Sequence, residues 1–195
     1  MGKTPILVFG ERLYAAFADG GGRKVLGDVR VSMTGRYRRL SPPELKRLKK
    51  EPSSIIDFLY PDDDSALPAD CKLDIDKAWH AIQFLLTGDP WQGEPPLQNA
   101  VLGGTEIGED EFGYGPVRYL TPCEVGEVAA GLSQVAESTL RSRFIPSAFS
   151  AAGIYPHGWQ GSPDEWRYVA ENYRRLVRFF QAAASAGQAM LLYLA

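Results

Sequence analysis

Residues 73–89 read LDIDKAWHAIQFLLTGD, and this stretch decides how the centre of the chain packs. Its large apolar residues recur three and four positions apart, which is typical of one buried face of a helix. They are Ile75, Trp79, Ile82 and Leu86. We predict a helix over residues 75–87, with Asp74 as N-cap and Gly88 as the stop. The Trp79 indole is expected to lie in the hydrophobic core.

The same helix would place Asp76 one turn before His80, within reach of an imidazole nitrogen. A carboxylate that orients an imidazole is half of a general-base arrangement, and Lys77 adds a donor beside it. A structural explanation stands next to the catalytic one, because aspartates in a first helical turn favour the positive end of the helix dipole. No serine or cysteine nucleophile lies at a diagnostic spacing. Asp76 and His80 are therefore candidate catalytic residues, with a structural contact as the alternative.

The composition is typical of a soluble globular protein of one domain, or of one domain with an appendage. The chain has 195 residues, of which 45% are hydrophobic and 23% charged, and its formal net charge is −3. This mild charge predicts no strong attraction to nucleic acid or to a membrane surface. No apolar stretch approaches the roughly 18 residues of a membrane span. We therefore expect a cytoplasmic protein with no membrane or nucleic-acid partner.

Two motifs that would indicate a cofactor or a metal are incomplete. The glycine-rich run at residues 103–115 lacks the GK[ST] end of a phosphate loop, and its acidic residues would repel phosphate. Zinc would require Cys71, Cys123, His80 and His157 to converge without any short-range pair. We predict no cofactor and no metal. Both cysteines are expected to be buried thiols, with one disulfide bridge or a reactive thiol as alternatives.

Three capping boxes mark the starts of helices. Each has Ser or Thr, then proline, then Glu at the fourth position, and they are SPPE at 41–44, TPCE at 121–124 and SPDE at 162–165. Strand-like runs occur at residues 31–40, 117–121 and 189–195. Few strands and many helices favour an α+β fold of a single domain, in which several helices cover a small mixed or antiparallel sheet.

The first residues differ from the rest of the chain. Residues 1–32 are rich in glycine and charge, and we interpret them as an N-terminal extension, irregular in structure, with a short helix over residues 11–18. A genuine first strand at ILVFG, residues 6–10, is the alternative. The main domain would then span residues 33–195.

Four segments carry a resemblance to a known family. They are GRYRRLSPPELKRL (35–48), LDIDKAWHAIQFLLTG (73–88), AVLGGTEIGEDEFGYGPVRYLTPCEV (100–125) and AAGIYPHGW (151–159). In this order and spacing the chain resembles the bacterial YfbM-like family over residues 33–195. That family is catalogued as a domain of unknown function. The resemblance implies an α+β fold and a small cytoplasmic protein, and it carries over no catalytic residue.

Two hypotheses of function follow. The first is a non-catalytic protein that binds a small ligand or a protein partner, either through its charged surfaces or in a polar and aromatic cleft. The candidate binding residues of this cleft are Asp76, Lys77, His80, Tyr119 and Tyr155. The second is a small hydrolase or transferase in which Asp76 orients His80 as a general base. Whether the protein is an enzyme stays open at this point.

Overall fold

The computed structural model of the chain describes residues 7–9, 12–18, 24–30, 32–61, 68–108 and 114–195. The chain divides into two compact units, residues 1–33 and 34–195, which are described separately. The interpretation of residues 1–32 as an extension of the main domain remains a prediction.

The first unit contains an antiparallel sheet in the order β1-β2-β3. Its strands are β1 (Leu7–Phe9), β2 (Arg12–Ala18) and β3 (Lys24–Arg30). The short helix predicted over residues 11–18 is therefore wrong, and residues 7–9, 12–18 and 24–30 form regular strands where an irregular structure was predicted. The physical reason is pairing, because β2 matches β3 along its whole length. An isolated helix this short is marginal in water, whereas the ladder satisfies the same backbone groups.

The strands of the second unit form a five-stranded antiparallel sheet in the order β5-β4-β8-β7-β6. They are β4 (Gly35–Leu40), β5 (Lys72–Asp74), β6 (Thr105–Ile107), β7 (Val117–Leu120) and β8 (Ala189–Leu194). The strand predicted near the end of the chain is thus the central one. It is buried along almost its whole length, as an apolar run between two neighbouring strands requires.

Seven helices lie in the described part of this unit. They are α1 (Pro42–Lys50), α2 (Ile55–Leu59), α3 (Ala78–Thr87), α4 (Pro122–Gln134), α5 (Glu137–Arg143), α6 (Pro146–Ala151) and α7 (Pro163–Ser185). Short 3₁₀ turns occur at Pro52–Ser54, Ala69–Cys71 and Gln98–Ala100. All three predicted capping boxes are formed. None of these helices has both the length and the apolar character that a membrane crossing requires.

The helices cover both faces of the sheet. Alternate side chains of a strand point to opposite faces, so Leu40 and Tyr119 pack with α1 and α2 in one apolar cluster. Tyr37 points to the other face, where its ring contacts Phe179 and Phe180 of α7. The predicted α+β class, with an antiparallel sheet covered by helices, is confirmed.

Helix α3 begins at Ala78, three residues later than predicted. The backbone of Gly35 exchanges hydrogen bonds with Ile75 and Asp76, which precede the helix, donating to the Asp76 carbonyl at 3.0 Å and accepting from the Ile75 N–H at 2.9 Å. The Asp74 carboxylate accepts from the Asp76 N–H at 2.6 Å, so it closes a turn and does not cap the helix. Asp76 has a φ of 51°, a left-handed conformation that aspartate tolerates. Because Ile75 and Asp76 bond to the strand backbone at Gly35, they do not form the first turn of the helix.

The inward orientation of the predicted stripe is confirmed. The Trp79 side chain has 0% exposure, and Ile75, Ile82 and Leu86 are also buried. The helix is buried on its other faces too, including the polar side chains His80 and Gln83. Gly88 ends it with a left-handed φ of 82°, as predicted.

Replacing Trp79 by alanine should lower the free energy of unfolding by about 3–5 kcal/mol, because a fully buried indole is lost. Urea unfolding followed by circular dichroism measures the change. The matched control is Trp91→Ala, since that indole is 58% exposed and its loss should cost less than about 1 kcal/mol. Equal losses in the two variants would contradict the assignment of Trp79 to the core.

Candidate functional site

The predicted site residue His80 is part of the protein interior. Its side chain is 1% exposed, and its Nδ1 accepts a hydrogen bond from the backbone N–H of Tyr155 at 2.9 Å. The pKa of His80 is lowered to about 4, mainly by burial; the Pro90 carbonyl acts in the opposite direction, and the nearby His157 adds to the lowering. His80 is therefore neutral near pH 7 and carries its proton on Nε2.

Asp76 does not bond to His80. Its side chain is exposed, and its carboxylate accepts from the Tyr168 hydroxyl at 3.0 Å. Because Nδ1 of His80 is itself an acceptor, it has no proton to donate to a carboxylate. The predicted Asp76–His80 hydrogen bond is therefore wrong. The cause is the late start of α3, which leaves Asp76 in the turn before the helix.

The structure brings together only some of the other predicted binding residues. Tyr155 is buried, and its ring stacks on Trp79 at a centroid distance of 6.0 Å, next to His80. Tyr119 lies on the opposite face of the sheet, in the cluster with α1 and α2, where the Lys49 ammonium sits 4.8 Å from its ring centroid. Lys77 is half-buried and immediately precedes α3. The predicted grouping of Tyr119 with His80 is thus corrected, because a strand sends Tyr119 to the other face.

An exposed tryptophan lies against the buried histidine. The ring centroid of His80 is 4.6 Å from that of Trp79 and 4.5 Å from that of Trp91. The Trp91 side chain remains 58% exposed. The three rings therefore form a continuous aromatic contact from the core to the surface.

Hydrogen bonds fix the backbone of the loop that carries Trp91. The Asp89 carboxylate accepts from the N–H groups of Trp91 and Gln92, each at 2.8 Å. These two bonds lower the pKa of Asp89, so its carboxylate stays charged near neutral pH. Gln98 donates its side-chain amide to the Trp91 carbonyl at 3.2 Å, and Gln83 donates to the Gln92 carbonyl at 3.3 Å. The indole is thus presented by a loop anchored to α3.

A cavity of about 180 Å³ opens beside this indole. We call it the Trp91 cleft and define it by the side chains of Trp91, Val101, Leu102, Tyr114, Arg118 and Leu192. It lies where two strands separate, since the pairing of β7 with β8 ends at Arg118↔Leu192. Pro116 immediately precedes β7 and has no N–H to continue the ladder.

The Trp91 cleft combines apolar walls with polar residues, among them Tyr114 and Arg118. The Tyr114 hydroxyl is buried and has no hydrogen-bond partner among the described residues. Burial, and the neighbouring Tyr155, raise the pKa of Tyr114. Nη2 of Arg118 donates to Oε1 of Glu106 on the adjacent strand at 2.7 Å. A buried hydroxyl without a partner is costly in a folded protein and requires an explanation.

Sequence patterns did not identify Trp91, Tyr114 or Arg118 as site residues. None of the three belongs to a motif that indicates a ligand or a reaction. One signal was available for Trp91, which lies in DPWQGEPP between turn-forming residues (89–96). A large aromatic side chain in such a loop has no helical or strand periodicity to bury it. It is therefore a candidate for exposure and binding.

The cysteines and possible metal ligands add no second site. Cys71 is buried, as predicted, and accepts a hydrogen bond from Arg38, whereas Cys123 is exposed, contrary to prediction. Both are free thiols. No cluster of three or more His, Cys, Asp or Glu side chains that could hold a metal ion occurs in the described ranges.

The fold of the chain resembles that of a known protein. The chain is similar to a solved structure described as a protein of unknown function YfbM from Escherichia coli, with a TM-score of 0.66 and 22% sequence identity. The match covers 83% of this chain and 99% of that chain. It confirms the α+β fold inferred from the sequence resemblance. No curated protein matches the chain.

A match to a family model shows the family of the chain. The family model described as a domain of unknown function, DUF1877, matches residues 31–193. The chain belongs to this family.

Protein stability should fall between pH 6.5 and pH 4 because of His80. The unfolded state takes up a proton near the ordinary pKa of 6.5 and the folded state only near 4, so the unfolded state binds more protons in this window. The titration of His80 should lower the free energy of unfolding by roughly 2–3 kcal/mol at the acid end of this pH window. In His80→Asn, which keeps an acceptor for the Tyr155 N–H, the drop measured by urea unfolding should be smaller by that amount. The comparison variant is His157→Asn at the exposed second histidine, which should reduce the drop only slightly, because His157 has the smallest of the three effects on the pKa of His80.

Proposed function

We propose that this protein is a non-catalytic binding protein whose ligand site is the Trp91 cleft. The observation that carries the proposal is the exposed indole at the mouth of a cavity, together with a buried Tyr114 hydroxyl that lacks a partner among the described residues. A ligand atom that reaches this hydroxyl would satisfy it, and a ligand surface on Trp91 would cover its apolar ring.

The anchored loop supports binding on energetic grounds. Tryptophan is among the residues that contribute most at binding sites. A side chain held in place before the ligand arrives loses less conformational entropy on binding. The bonds from Asp89, Gln98 and Gln83 hold the backbone on both sides of Trp91. The contact with His80 supports the ring itself.

The size of the cleft favours a small ligand as the occupant. Ligand pockets commonly measure about 300–1,000 Å³, and a cavity of about 180 Å³ lies below that range. It fits one small molecule, or a single side chain of a protein partner. We propose that the occupant is a small molecule, because the buried Tyr114 hydroxyl can bind a polar group of a ligand that fits wholly into the cleft.

The geometry gives no support to a hydrolase or transferase that uses Asp76 and His80. The carboxylate bonds to Tyr168, and Nδ1 of the imidazole is occupied by a backbone N–H. His80 has the environment of a structural side chain, packed between the core and Trp91. Its role in the proposal is to position the indole.

We also propose a cytoplasmic location in a bacterium. The support for a bacterium is the similarity to a structure from Escherichia coli, and the support for the cytoplasm is the pair of free cysteines in the described residues. Unpaired thiols are usual in reducing compartments, whereas oxidising ones favour disulfides.

Replacing Trp91 by alanine should weaken small aromatic ligands at least about tenfold, because the main apolar wall of the cleft is lost. The measurement is an NMR titration of the ¹⁵N-labelled full chain with phenol, indole and benzoate, following the indole N–H resonances. In the wild-type protein, at least one probe should shift the Trp91 resonance in a saturable way.

The control variant is Ile145→Ala, which removes an exposed apolar side chain outside the cleft. It should leave the affinities unchanged. Probes that bind Trp91→Ala as tightly as the wild-type protein would refute the proposed site.

A further inference from the structure

We infer that the Trp91 cleft recognises a monocyclic aromatic carboxylate, an inference that rests on the proposed function and specifies its ligand class. Three properties of the cleft lead to this class of ligand. They are its volume, its aromatic and aliphatic walls, and its single charged side chain.

The volume limits the ligand to one ring. A buried apolar cavity of about 150 Å³ is large enough to bind benzene. The Trp91 cleft, at about 180 Å³, accommodates a six-membered ring with one small substituent. A nucleotide or a fused polycyclic ligand would extend far beyond it.

The walls favour a flat, apolar ring. The Trp91 indole provides an aromatic face, and Val101, Leu102 and Leu192 provide aliphatic contacts. Aromatic pairs gain from offset or edge-to-face packing in addition to the burial of apolar surface. A ligand ring beside Trp91 would continue the series of rings formed by Trp79, His80 and Trp91.

The charge favours an anionic substituent. Arg118 is the only charged side chain among the described residues that line the cleft. A guanidinium has five N–H donors in a planar fork that matches a carboxylate. Within the described residues, the side chain of Arg118 donates only to Glu106, whose own side chain is 59% exposed. An exposed ion pair is weak, so a ligand carboxylate can share the guanidinium with Glu106 or displace it.

A cationic ligand is the main competing class, because an indole face also attracts ammonium groups. The position of Arg118 in the same cleft argues against it, since like charges repel at close range. Tyr114 also lines the cleft, and a ligand oxygen that reached its buried hydroxyl would accept a hydrogen bond from it.

The test compares three ligands of nearly equal shape: benzoate, benzamide and benzylammonium. Each is titrated into the full chain at pH 7 and low salt, with the Trp91 indole N–H resonance as readout. Benzoate should bind at least about tenfold tighter than benzamide, and benzylammonium should bind most weakly. Raising the salt concentration should weaken benzoate and leave benzamide nearly unchanged.

Two variants assign the preference to Arg118. Arg118→Gln should remove the advantage of benzoate over benzamide while leaving benzamide affinity within about twofold. Glu106→Gln should strengthen benzoate several-fold, because it removes the anion that competes for the guanidinium. The matched control is Arg174→Gln, which breaks an ion pair with Glu137 elsewhere in the fold and should change neither affinity.

The outcomes separate the two proposals. Equal binding of benzoate and benzamide at Trp91, or tighter binding of benzylammonium, would overturn the ligand class and leave the cleft as a binding site. A Trp91 resonance that responds to none of the three ligands, nor to phenol or indole, would overturn both.

Discussion

The close approach of helix α3 to strand β4 is the contact on which the second unit depends. A Cβ atom built on Gly35 would lie 2.7 Å from the Cβ of Trp79 and 3.0 Å from the Ile75 side chain. Only glycine lets the strand backbone come this near to the helix. The approach allows Gly35 to exchange hydrogen bonds with Ile75 and Asp76, and these bonds fix where the helix begins. The burial of Trp79 and the position of His80 follow from it.

His80 illustrates how a titratable residue can serve as a structural one. In a buried site the charged imidazolium is costly, so the neutral form prevails and its pKa falls to about 4. The neutral ring can accept the Tyr155 N–H and contact two tryptophans at once. It thereby ties the turn at Tyr155 to the loop at Trp91. The same burial makes it a poor general base in a surface cleft.

The Trp91 cleft arises from a change in strand pairing. Strands β7 and β8 pair as far as Arg118↔Leu192, and Pro116 cannot extend the ladder. The cleft lies beside the end of this ladder and is lined by aliphatic side chains and by Trp91. The same cleft is lined by Arg118, which carries a guanidinium, and by Tyr114, whose hydroxyl has no partner in the described structure. This coincidence distinguishes the cleft from a simple packing gap.

Local sequence alone determined where α1, α4 and α7 start, because a capping box needs only four neighbouring residues to satisfy the first N–H groups. It also determined the inward face of α3 and the α+β class, since both follow from periodicity and from the order of elements. Tertiary structure decided what distant residues do to one another. Pairing with Gly35 shortened α3 and separated Asp76 from His80, pairing with β3 turned a predicted helix into β2, and strand alternation sent Tyr119 to the far face. The Trp91 cleft was invisible to local patterns for the same physical reason, because its walls come from segments that meet only when the sheet forms.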